Sequence, residues 1–292
     1  MEDRIFLPNV ERLFDYFHRR WERKGTFALI SKALILAFLL GLGLAEAKRL
    51  GWLEGTPIEE HIYNHFFAIE LAFTLLLLTE LLSLVFTMPN SIAESVGKQF
   101  EILSLILVRS SFKEFSKIEE PIDWANVQGA VLHIGSDAFG GLLVFILLGV
   151  YYQIYRKQPL TRSAQDRAQF ISYKKLIATL MFFSFLLIGI FDLREFWLTG
   201  ELHNSFNTFY TLLIFSDILF LLIALRYNPD YYTLFRYAAF VLTTVLIRIS
   251  LTAPPFYNAL IGIGSLVFTI LLAWSFNYFE THKPVVEPKR LP

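Results

Sequence analysis

Residues 66–87 read FFAIELAFTLLLLTELLSLVFT, an unbroken apolar run in which only Glu70 and Glu80 carry charge. At ~1.5 Å per helical residue this run is ~33 Å long, enough to cross the ~30 Å hydrocarbon core of a bilayer. A soluble helix of that length would place polar side chains on every turn. Runs of the same kind recur at about 27–46, 127–152, 172–193, 206–226, 232–250 and 258–278, with a weaker one at 94–112. Composition agrees: 55% of the 292 residues are hydrophobic and 18% charged, against ~45–50% and ~25% in ordinary soluble domains. The pattern predicts an all-α polytopic membrane protein with about eight transmembrane helices.

The run at 94–112 is the exception that tests this reading. Only Ile102 to Val108 is cleanly apolar, with Lys98, Glu101, Arg109 and Lys113 around it. Such a segment cannot face lipid, so it crosses only if other helices surround it. Loop charge argues that it does cross. Cations gather before the first run (Arg12, Arg19, Arg20, Arg23, Lys24), after the fourth (Arg156, Lys157, Arg162, Arg167, Lys174, Lys175) and in the tail (Lys283, Lys289, Arg290). The alternate loops are acidic, with Glu54, Glu59 and Glu60, then Glu119, Glu120 and Asp123. Lysine and arginine stay on the cytoplasmic side, which places both termini in the cytoplasm, requires an even number of spans and suggests the plasma membrane.

Residues 3–24 read as an amphipathic helix, with Pro8 in its first turn and Val10, Leu13, Phe14, Phe17 and Trp21 on one face. Its cations favour a helix resting in the headgroup layer, with docking on protein as the alternative. Because this polar stretch precedes the first apolar run, a cleaved leader is not expected. The organisation that follows is an interfacial helix over 1–26, a four-helix membrane unit over 27–155, a basic linker over 156–171, a second four-helix unit over 172–280 and a disordered tail over 281–292. Arg156-Lys157 and Lys174-Lys175 read as a solvated inner face against anionic lipid.

The two units have the marks of a tandem duplication. Asn64-His65-Phe66 matches Asn204-Ser205-Phe206, each opening an apolar helix that carries a deep acid, Glu80 or Asp217. Pro89 or Pro229 follows, the next helix ends near Arg109 or Arg248, and the last carries Ile134-Gly135-Ser136 or Ile263-Gly264-Ser265. Related halves about a pseudo-two-fold axis are common in transporters. Chance likeness between apolar helices is the competing explanation.

Charges inside spans locate the candidate chemistry. An ionised group at the bilayer centre costs at least ~2.5–3.5 kcal/mol, so Glu70, Glu80, Glu101, Arg109, Asp137, Asp217, Arg236 and Arg248 are expected to face protein. Depth along the helices sets Glu70 level with Arg109, Glu80 level with Lys98, and Arg236 below Asp217. Two charge layers with an apolar stretch between them suit the passage of a monovalent cation or proton. Static pairs that fix helix register are the alternative.

Phe66-Phe67-Ala68-Ile69-Glu70, followed by Glu80-Leu81-Leu82 and Pro89, resembles the second helix of the voltage-sensor domain of voltage-gated cation channels. The resemblance covers residues 66–101 and implies a four-helix bundle in which Glu70, Glu80 and Glu101 are countercharges. It ends there: Leu77 stands at the family's aromatic plug, and residues 127–152 hold no arginine repeat.

Histidines offer other chemistry. His61 and His65 lie one turn apart, as do His133 and Asp137, and with His203 all fall near one face of the membrane. Such sets can hold a metal ion or haem, although no cofactor is expected here. The chain has no Cys, which excludes disulfides and thiolate catalysis, and its zero net charge offers nothing to nucleic acid. No catalytic signature is present, so an enzyme is not expected. These residues favour an ion channel or ion-coupled transporter. A non-catalytic anchor or accessory subunit, as a homo-oligomer or in a larger complex, is the second reading, and a haem- or metal-binding membrane protein the third.

Overall fold

The computed structural model describes residues 3–53, 56, 59, 62, 64–89, 92–115, 124–155, 164–199, 206–227 and 231–281. The described residues form nine helices and no strand: α1 (Asp3–Trp21), α2 (Lys24–Arg49), α3 (Phe67–Thr87), α4 (Ile92–Phe115), α5 (Trp124–Ile154), α6 (Ala164–Thr199), α7 (Phe206–Tyr227), α8 (Tyr231–Thr252) and α9 (Tyr257–Thr281). All of these but α1 and α4 are long and apolar enough to cross a membrane, seven in total. Their outward faces carry large apolar side chains, such as Leu36, Leu39, Phe145, Phe191, Leu222 and Leu271. Water would not tolerate so much exposed hydrocarbon. The chain is an integral membrane protein.

α4 fails a composition test because its cations and acids interrupt the apolar run, yet it is the most enclosed helix. It packs against α3, α5, α8 and α9. Val96, Phe100, Leu103 and Leu107 are sealed in its core contacts, and the polar Ser95, Gln99, Ser104, Arg109, Ser111 and Glu114 are buried with them. Neighbouring helices thus supply the shielding that its charges demand.

Close approach of backbones holds the bundle together. On α2 the buried residues are Ala37, Gly41 and Ala45, a stripe of small side chains one turn apart. A Cβ on Gly41 would fall 2.6 Å from the Ala68 Cα of α3. Between α5 and α9 a Cβ on Gly140 would meet the Ala259 Cβ at 2.4 Å. Small residues at such crossings let dispersion act over the whole helix length where no hydrophobic drive operates between helices. Polar pins fix the ends. Tyr151 donates to the Ala93 carbonyl at 2.8 Å and Asn277 Nδ2 to the Ile154 carbonyl at 2.6 Å.

α1 forms as expected, but its apolar face meets protein. Phe14 is buried and packs on Phe86 of α3, Phe17 on Phe182 of α6, and Trp21 Nε1 donates to Ser83 Oγ at 3.0 Å. Lys175 and Asp15 pair at 2.8 Å, and the Ser172 hydroxyl donates to Glu11. The aromatic groove between α3 and α6 takes the surface that the sequence reading assigned to lipid. The tail beyond Thr281 and the linker residues 156–163 lie outside the described residues.

Replacing Gly140 with isoleucine is expected to force α5 from α9 and lower the melting temperature in detergent, since overpacking costs ~1–3 kcal/mol. Gly135→Ala, where a Cβ meets nothing within 4 Å, should leave that melting temperature unchanged.

Candidate functional site

The buried faces of α3, α4, α7 and α8 bring Glu80, Arg109, Asp217 and Arg248 into the bundle. On α7, Phe209, Leu213, Phe220 and Ala224 are buried at helical spacing, and Asp217 falls in the same stripe at mid-helix. On α8, Thr244 and Arg248 lie one turn apart and are 4% and 1% exposed. Arg248 Nη2 approaches Asp217 Oδ2 only to 4.0 Å, too long for a hydrogen bond. The guanidinium makes no hydrogen bond through Nε, Nη1 or Nη2, and Asp217 Oδ2 accepts none.

The pair on the first unit is closed instead. Arg109 Nη1 of α4 donates to Glu80 Oε2 of α3 at 2.6 Å, with both side chains about nine-tenths buried. The depth argument set Arg109 level with Glu70 and Glu80 level with Lys98, and the side chains that meet form other pairs. Arg109 reaches along the helices to Glu80, Glu70 takes Lys113 at 3.5 Å, and Lys98 binds Glu101 one turn away at 2.5 Å. Tyr152 of α5 also donates to Glu101, at 2.6 Å. Axial level alone does not identify the partner, because long side chains shift their charged ends by more than a turn. Arg236 lies over the rings of Tyr237 and Phe276 at 5.9 and 6.0 Å, and Arg248 stands beside Asp217.

Three groups that the sequence reading left out complete the core. Tyr210 of α7 is buried and lies within electrostatic reach of Arg109, Arg248 and Glu80. Lys174, read as a solvated cation, is 3% exposed on α6, over the Phe170 and Phe220 rings at 5.0 and 5.7 Å and within electrostatic reach of Asp217. Its neighbours Phe170, Ile177, Ala178 and Met181 are all buried. Position 174 continues their helical spacing, and this was the signal available in the sequence. Gln99 of α4 is the third, 3% exposed with Oε1 accepting no hydrogen bond. Beside Asp217 a cavity of about 20 Å³ is lined by Ser95, Gln99, Lys174, Thr244 and Asp217 together with apolar side chains. That is room for one water-sized occupant.

At the opposite end of α4 the acids serve packing. Asn258 Nδ2 of α9 donates to Asp137 Oδ1 of α5 at 2.7 Å, and the Asn258 carbonyl accepts from Ser250 at 2.6 Å. Phe256, with φ +71°, turns the chain between α8 and α9 and sets its ring edge-on to His133. His133 Nδ1 faces Glu114 at 3.6 Å, and His65 Nε2 faces Glu46 at 3.3 Å. No three His, Asp or Glu side chains converge as metal ligands among the described residues. His61 and His203 lie outside them.

Arg109→Ala would leave Glu80 without its cation, and breaking a buried pair costs ~3–5 kcal/mol. A clear fall in melting temperature is expected, with most of it regained in the double variant Glu80→Leu, Arg109→Met. No regain would mean that the pair is not what the single variant disturbs.

No protein-family model, curated protein or solved structure matches this chain.

Proposed function

We propose that the chain is an ion-coupled transport protein whose path runs through the polar core around Asp217. One observation carries this reading: a carboxylate at mid-helix, 6% exposed, accepts no hydrogen bond at Oδ2 and borders a cavity. A carboxylate that only fixed helix register would be satisfied, as Glu80 is by Arg109. Leaving one half-partnered inside a membrane is costly, and such groups are characteristic of ion and proton pathways. Arg248, Lys174 and Thr244 surround Asp217 with groups able to exchange partners as an ion enters and leaves.

In this reading α4 is the eighth span, shielded by the four helices around it, and the chain consists of two related halves, α2–α5 and α6–α9. Support comes from which helices meet across the divide. The third helices of each half pack together, α4 with α8, and so do the fourth, α5 with α9. Equivalent elements face each other in this way about a two-fold axis. The matched pairs Glu80–Arg109 and Asp217–Arg248 occupy corresponding helices. The voltage-sensor likeness of residues 66–101 then describes a role, with Glu80 the countercharge to a cation on the neighbouring helix. Both termini are cytoplasmic in a plasma membrane, following the lysine and arginine distribution.

Two measurements test the proposal. Because the chain has no Cys, single cysteines at Trp52 and Gln153 can be labelled from either side of sealed vesicles. Eight spans with inner termini predict that Trp52→Cys reacts from outside and Gln153→Cys only from inside. In liposomes, the wild-type chain is expected to carry proton or monovalent-cation flux, and Asp217→Asn to reduce it by about tenfold or more, a barrier change of at least ~1.4 kcal/mol. Flux equal in wild type and variant removes the proposal. No flux from the chain alone, with a partner co-purifying at fixed stoichiometry, favours an accessory subunit.

A further inference from the structure

The atoms around the Asp217 cavity are unusual in their polarity. Asp217 Oδ2 and Gln99 Oε1 belong to side chains that line it, are buried, and are both acceptors that receive nothing. Gln99 turns its Nε2 toward Ser95 Oγ at 3.5 Å, which uses one of its two N–H donors, while its carbonyl oxygen accepts nothing. The Thr244 hydroxyl lies within hydrogen-bond reach of both the Val241 carbonyl, at 2.8 Å, and the Asp217 carboxylate, and its oxygen keeps lone pairs for a further partner. Four side chains from three helices therefore present oxygen to one small space. Buried acceptors require a donor or a cation. An anion would satisfy none of them.

We propose that this cavity binds one small monovalent cation, of sodium size, through the Asp217 carboxylate, the Gln99 amide oxygen and the hydroxyls of Ser95 and Thr244. The inference rests on the ion-path reading above and names its ion. Oxygen donors suit a hard cation. A single carboxylate balances a single charge, and the volume leaves no place for a retained hydration shell, which excludes magnesium.

Two resident cations bear on the site. Arg248 approaches Asp217 from α8, one turn beyond Thr244, and its 4.0 Å separation leaves Oδ2 without a hydrogen bond. Lys174 approaches from α6, held over the Phe170 and Phe220 rings. Asp217 is the only carboxylate among the residues lining the cavity. An entering cation therefore competes with the Arg248 guanidinium and the Lys174 ammonium for one negative charge, and the two aromatic faces give that ammonium a seat when it loses the competition. Lys174 is a tethered competitor, which weakens binding and makes release possible.

The test is thermal unfolding of the purified full-length chain in detergent, at constant ionic strength, with chloride salts of sodium, potassium and choline. A ligand bound by the native state raises the midpoint in a saturable way. Sodium is expected to do so over choline, with Gln99→Leu and Asp217→Asn flattening the response. Lys174→Gln should saturate at about tenfold lower sodium, because a like charge is removed from the site. If Asp217→Asn does not fold, Thr244→Val takes its place. Midpoints that are the same in sodium and choline for both wild type and Lys174→Gln would leave the cavity to water and overturn the proposal. Failure here is separable from failure of transport: proton flux that needs Asp217 but ignores sodium ends the cation site and keeps the path. Sodium-dependent melting without any flux keeps the site and ends the transport reading.

Discussion

An ionised side chain in hydrocarbon needs company, and in this protein that requirement decides which helix lies at the centre. α4 has the weakest apolar run, yet it carries Arg109, Glu114, Ser95 and Gln99 into buried positions. Arg109 finds its opposite charge on α3, and α3, α5, α8 and α9 gather around α4. The more lipid-compatible helices are left at the edge. α2, with its row of exposed leucines, packs chiefly on α3 through a small-residue stripe.

The two buried acid–arginine pairs show how one arrangement can serve two ends. Glu80 and Arg109 are joined by a short charge-assisted hydrogen bond, which is directional and holds α3 against α4. Asp217 and Arg248 stand apart, with a cavity, an ammonium group and an amide oxygen beside them. A closed pair is an end state. An open one retains unused hydrogen-bonding capacity in a medium of low polarity, where an added ion or water interacts strongly. The two pairs therefore differ in chemistry although each joins an acid and an arginine on neighbouring helices.

Much of the fold was legible because hydrophobic run length is a local property. Six of the seven strongly apolar helices fall within a few residues of their expected spans, whereas α6 begins at Ala164, inside the stretch expected as a linker, and the α1 periodicity was visible in the spacing of Val10, Phe14, Phe17 and Trp21. The candidate site was legible in part. Asp217, Glu80, Arg109 and Arg248 were recognisable as charges that lipid would reject. Lys174 was not, because it sits beside Lys175 at the start of a span, and a pair of lysines there looks like a solvated rim. Its burial follows from facing the same way as Phe170, Ile177 and Met181.

What the sequence determined by itself is the set of segments that must leave water and the set of charges that cannot do so alone, since both follow from transfer energies of individual side chains. What only the tertiary structure decided is who accompanies whom: Arg109 with Glu80, Lys113 with Glu70, Arg248 beside Asp217, and α1 against Phe86 and Phe182. Partner choice depends on helix rotation and on the reach of long side chains across several ångströms. Neither is encoded in position along one helix, because both arise from packing among helices distant in the chain.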